Sequence, residues 1–125
     1  MSVQSPRQFD EHFAKAFNAN DADAVLALYE PDATLIPKPG NPVTGSAALR
    51  EALGHFLALN GQIDLRSVGV TETSGLALLQ TDWTINGGTD ADGNPVELGG
   101  RSTNILRQQA DGTWLAVIDD PWSAG

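Results

Sequence analysis

Cysteine is absent from the 125 residues, which removes disulfides, thiolate nucleophiles and cysteine-ligated metals from consideration. Basic residues are scarce. Seven Lys plus Arg stand against sixteen Asp plus Glu, a formal charge of -9, so long-range repulsion opposes docking on nucleic acid phosphates or anionic lipid. We therefore expect no nucleic acid partner and no membrane partner, the acidity serving solubility. No apolar run approaches the ~20 residues of a membrane span. The start MSVQSPRQFDEH lacks the apolar segment of a signal peptide, so a cytoplasmic protein is expected. His12 and His55 are far apart and no HxH or HExxH occurs, so no metal is expected. GxGxxG, P-loop and GxSxG patterns are missing as well, and with them nucleotide cofactors and serine hydrolysis. In Asp90–Asn94 the glycine is misplaced for a calcium loop and the later glutamate is lacking, which leaves a turn. Any chemistry must come from carboxylates, imidazole, hydroxyls or amides.

What is present fits one domain. Ser5-Pro6-Arg7-Gln8 has the residues of a capping box with proline at the first helical position, and a first helix should begin there. Phe9, Phe13, Ala16 and Phe17 then fall on one face, as a core stripe or a pocket wall. In Asn18–Pro37, Asp21 can cap a second helix with Val25, Leu28 and Tyr29 inward, Pro31 cannot continue it, and a strand follows at Ala33–Ile36. Lys38–Pro42 is a rigid loop. Ser46 can cap a third helix over 46–59, with Leu49, Ala52, Leu53, Phe56 and Leu57 inward and Asn60-Gly61 ending it.

The remainder reads as β. Gln62–Thr73 alternates through Ile63 and Leu65, then slips phase to Val68 and Val70, which predicts a bulge. Strands at Leu76–Asn86, Val96–Gln109 and Thr113–Asp119 are separated by the Asp92-Gly93 and Asp111-Gly112 turns. Helices followed by long antiparallel strands make an α+β domain.

Four stretches carry a family resemblance: FNANDADAVLALYEPDATL (Phe17–Leu35), VTGSAALREAL (Val43–Leu53), GRSTNILRQQADGTW (Gly100–Trp114) and VIDDPW (Val117–Trp122). Together they resemble the SnoaL-like, ketosteroid isomerase-like group of the nuclear transport factor 2-like superfamily. The resemblance implies a cone: three N-terminal helices packed in a strongly curved antiparallel sheet, with a central apolar pocket and dimerisation through the sheet. Steroid isomerases of this superfamily use a carboxylate base and an oxyanion hole of a tyrosine and a protonated acid. The matching positions here are Pro37, Phe13 and Asn104, so that route to enolisation is not expected. An epoxide hydrolase reading, which needs an Asp–Arg–Asp set, finds Arg101 and Asp119 but no second acid beside Arg101.

Alternation puts Ser102, Asn104 and Leu106 on one strand face, Leu79, Thr81, Trp83 and Ile85 on another, and Leu115, Val117 and Asp119 on a third, with Trp114, Ala116 and Ile118 pointing away. The expected catalytic set is Asp119, Asn104 and Tyr29. Asp119 reads as a base or a solvated strand end, Asn104 as a ligand amide or a satisfied core amide, and Tyr29 as a pocket hydroxyl or a structural donor. Phe13, Phe17, Val25, Leu79, Thr81, Trp83, Leu106 and Val117 are the expected ligand-binding walls, and His55 is expected at the surface. The leading functional expectation is a pocket protein that binds, or acts by acid–base chemistry on, a small apolar carbonyl-like molecule. The competing one is a non-catalytic dimerisation module with a filled pocket. A homodimer should use the outward Trp114, Ala116 and Ile118.

Overall fold

The computed structural model describes residues 3–124. Its first turn is 3-10, Pro6–Gln8, and runs directly into α1 (Phe9–Asn18). The expected capping box is displaced. Ser5 makes no side-chain cap, and Gln8 Oε1 instead accepts from the Gln4 backbone N–H at 2.9 Å. The phenylalanine stripe of α1 is buried, and its rings follow one another at centroid distances of 6.2 and 6.0 Å.

Asp21 caps α2 (Ala22–Leu26) by accepting from the Ala24 N–H at 3.1 Å. That helix is shorter than its apolar pattern suggested, because Tyr29 opens β1 (Tyr29–Leu35) instead of extending the helical stripe. Pro31 therefore stops nothing. It lies exposed in a stretch of β1 whose register slips between Tyr29 and Thr34, where a missing N–H breaks no ladder. After β2 (Val43–Thr44), Gly45 at φ 97° turns the chain into α3 (Ser46–Leu57). Ser46 is the first helical residue, not the cap, and its hydroxyl donates to the Pro31 carbonyl oxygen at 3.3 Å.

The four long strands, β3 (Gln62–Thr73), β4 (Leu76–Thr89), β5 (Pro95–Gln108) and β6 (Trp114–Ala124), form an antiparallel meander in a sheet of order β2-β1-β6-β5-β4-β3. The sheet is not wholly antiparallel as expected, since β1 runs parallel to β6. It also curls. Leu35 of β1 and Leu65 of β3 belong to strands far apart in the sheet order, yet they line one internal space beneath α1 and α3. The bulge expected in β3 lies between Ser67 and Gly69 and turns Val68 outward.

β6 carries a second bulge that simple alternation missed. Leu106 pairs with Ala116 and Ile105 with Ile118, so Val117 is an extra residue without its own partner on β5. The phase of β6 inverts there. Trp114 and Ala116, expected to point outward, are buried in the core, whereas Leu115 and Val117 are only half-buried. Past the bulge Ile118 is 40% exposed and Asp119 faces inward.

Candidate functional site

A cavity of about 60 Å³ opens between α1, α3 and the concave face of the sheet, room for several water molecules. All four phenylalanines of the chain, Phe9, Phe13, Phe17 and Phe56, line it together with Trp83 and the aliphatic Leu35, Leu53, Ile63, Leu65 and Ile85. Its polar atoms come from Asp10, Ser102, Asn104 and Asp119. Among the described residues no Lys, Arg or His lines it.

Asp119 is 7% exposed and both its oxygens are held. Tyr29 Oη donates to Oδ2 at 2.5 Å. The Asn104 amide satisfies its neighbours in one orientation, with Nδ2 donating to Asp119 Oδ1 at 2.6 Å and to the Thr103 carbonyl oxygen at 3.2 Å. This triangle exists because Asn104 and Asp119 are cross-strand partners on β5 and β6, while Leu35 of parallel β1 pairs with Asp119 from the other side. Burial pushes the Asp119 carboxyl up to about 6, the Tyr29 hydrogen bond pulls it down, and the charges of Asp120 and Asp10 add to the rise. The Asn104 donation works in the same direction as Tyr29. Tyr29 itself is raised well above the usual phenol value, by burial first and by the adjacent Asp119 charge second.

Of the expected walls, Phe13, Phe17 and Trp83 reach the cavity. Val25, Leu79 and Leu106 are core residues behind it, and Val117 sits on the bulge away from it. Thr81 is buried one layer back, and Tyr29 reaches the space only through Asp119. His55 is exposed, as expected. Arg101 pairs with Asp82 at 2.7 Å on the outer side of the sheet, alongside Arg66, and so is not the partner of Asp119 that an epoxide hydrolase set requires.

Asp10 is the residue that sequence reasoning missed. It is buried, it lines the cavity, and its Oδ2 accepts from Thr81 Oγ1 at 2.7 Å and Ser67 Oγ at 2.6 Å. The signal was available, because Asp10 precedes Phe13 and Phe17 by three and seven positions and so shares their helix face.

A broader cleft of about 420 Å³ lies outside, between α3 and the loop after β1, among Pro37, Lys38, Val43, Glu51 and His55. Phe56 belongs to both spaces, so its ring is the wall between them. Trp83 and Trp122 meet edge to face at 5.1 Å nearby, and Trp122 Nε1 donates to the Pro37 carbonyl oxygen at 2.9 Å.

The family model described as a SnoaL-like domain matches residues 9–117. None of the curated proteins matches the sequence. Among solved structures, a ketosteroid isomerase-like protein from Erwinia carotovora atroseptica is similar at a TM-score of 0.79 and 24% identity, over 91% of this chain and 89% of that one. A candidate calcium/calmodulin-dependent protein kinase type II association domain from Thiobacillus denitrificans gives 0.76 and 20%, over 98% and 99%. A candidate aromatic ring hydroxylase from Novosphingobium aromaticivorans gives 0.74 and 20%, over 95% and 87%. At these identities the structural likeness speaks for the fold alone.

Proposed function

The chain belongs to the SnoaL-like domain family, and on that premise we propose that it is a small-molecule pocket protein whose cavity binds a small, largely apolar compound and uses Asp119 as its proton acceptor. The observation that carries this reading is Asp119 itself, a buried carboxylate held on both oxygens at the floor of a largely aromatic and aliphatic space. With its carboxyl at about 6, Asp119 is mostly ionised at neutral pH yet basic enough to take a proton. Asn104 and Tyr29 are positioning residues in this scheme, since their donors are spent on Asp119. Steroid-type enolisation is not part of the proposal. Phe13 replaces the phenol donor, Trp83 Nε1 is committed to the Pro121 carbonyl oxygen, and a carbonyl-like ligand would find only the Ser102 hydroxyl to receive its oxygen.

The cavity is small because aromatic rings occupy the cone's centre. A ring swing of Phe56 would join it to the outer cleft, which makes that ring the proposed gate. Native mass spectrometry of freshly purified protein tests the reading: a co-purified small molecule is expected, and its occupancy should fall at least about tenfold in Asp119→Asn. Full occupancy in that variant would remove Asp119 from the site.

The second reading is a non-catalytic association module, favoured by the filling of the cone with Phe13, Phe17, Phe56 and Trp83. In either case we propose a homodimer through the outer sheet face. The contact expected at Trp114 and Ala116 moves to Leu78, Ile105 and Ile118, which lie in one cross-strand row on that face.

A further inference from the structure

We propose that the ligand is an amine: a small apolar molecule whose protonated nitrogen sits against Asp10, with its hydrocarbon part among the phenylalanines. This rests on the pocket reading above and specifies its ligand class. Both donors to Asp10 among the described residues, Ser67 Oγ and Thr81 Oγ1, converge on Oδ2. Oδ1 accepts no hydrogen bond among the described residues, yet every fully buried polar side-chain atom among them has a partner, so Oδ1 must keep accessible surface. The residue is 93% buried by its 7% exposure, and the open space it lines is the cavity. Oδ1 is thus an acceptor held ready by two hydroxyls and left without a donor.

The donors and acceptors around the cavity point the same way. Asp10 and Asp119 both accept. The Asn104 amide hydrogens are spent on Asp119 and Thr103, the Tyr29 hydroxyl on Asp119 and the Trp83 indole on Pro121. Among the described residues Ser102 is the one polar lining group with a hydrogen to offer, and it leans toward the Thr81 carbonyl oxygen at 3.4 Å. A ligand must therefore bring its own hydrogens. No lining cation offsets the two carboxyl groups, and aromatic faces attract a positive charge where a carboxylate or carbonyl oxygen would be repelled. An apolar ammonium answers all three conditions: it donates, it is positive, and it favours ring faces.

Isothermal titration calorimetry of the intact protein at neutral pH with benzylamine, benzyl alcohol and benzoate separates the possibilities, since the three share a ring and differ in the polar group. Benzylamine should bind at least about tenfold more tightly than benzyl alcohol, with benzoate weakest. Asp10→Asn should abolish most of that preference by weakening benzylamine at least about fivefold more than benzyl alcohol. If that variant does not fold, the three-probe ranking on the unaltered protein decides alone. Benzyl alcohol or benzoate binding as tightly as benzylamine overturns the amine assignment and leaves the pocket reading intact. No binding by any of the three overturns both.

Discussion

Asp119 combines burial with a raised proton affinity, so the stability of the fold depends on its protonation. Its carboxyl sits at about 6 in the folded protein against an ordinary value of 3.8, so the folded state holds the proton more tightly than the unfolded chain does. This group's contribution is fully present below about pH 4 and is lost as pH rises to about 6, a fall on the order of 3 kcal/mol. Urea unfolding of the native protein and of Asp119→Asn across that window should show the variant gaining on the native protein as pH rises; parallel curves would contradict the burial. Tyr29→Phe removes a donor that favours the charged form. The Asp119 midpoint, followed by carboxyl carbon NMR, should move upward, and stability at pH 7 should drop by about 1.5–3 kcal/mol. A downward shift would mean that Tyr29 does not donate to Asp119. The strand faces beside this site were legible beforehand in the residues, Asn104 sharing one with Ser102 and Trp83 with Thr81 and Ile85, but the burial of Asp119 and its bond from Tyr29 were not. Asp10 was passed over because an acid next to a phenylalanine stripe reads as a solvated flank until the hydroxyls of Ser67 and Thr81 are brought to it across the fold.

At the level of elements, β4 and β5 could be read from period-2 alternation because each buries one clean face. β6 could not. Its bulge at Val117 carries no glycine or proline to announce it, and strict alternation assigned Trp114 and Ala116 to the wrong side. Tyr29 was misplaced for a related reason, because an apolar residue at helical spacing after α2 gives no sign that the chain has already turned into a strand. The bulge makes residue count matter more than residue identity in β6. Val117→Ala should leave the Asp119 titration near 6, whereas insertion of one alanine after Val117 should return it toward 4, since Trp114 and Ala116 anchor the strand and Asp119 would rotate outward. An unchanged Asp119 midpoint in the insertion variant would show that the strand re-forms its register elsewhere. Gly88 ties β4 to the end of α3: a Cβ there would overlap the Leu59 carbonyl oxygen and lie 2.6 Å from the Gly61 nitrogen. Gly88→Ala should cost about 1–3 kcal/mol in thermal or urea unfolding, and an unaffected midpoint would mean that this junction is loose.

On the scale of the whole molecule, the outer sheet face presents Leu78, Ile105 and Ile118 in register, with Leu78 and Ile118 at 37% and 40% exposure. Multi-angle light scattering should give a dimer at micromolar concentration and a monomer for Ile118→Lys; a monomeric native protein would end the dimer proposal. The α+β class was readable from element order and the curl of the sheet only from the family resemblance, but the parallel pairing of β1 with β6 was not, because nothing local in either strand specifies a neighbour so distant in sequence. That pairing places β6 between two otherwise separate pieces, β2–β1 on one side and β5–β4–β3 on the other. On a ribosome the two pieces emerge first, each with an unpaired edge, and only the late strand can join them. Tyr29 is made 90 residues before the carboxylate it contacts. A nascent or prematurely terminated chain thus carries the aromatic walls but neither the closed sheet nor the acid, and the site comes into being in the same event that completes the fold.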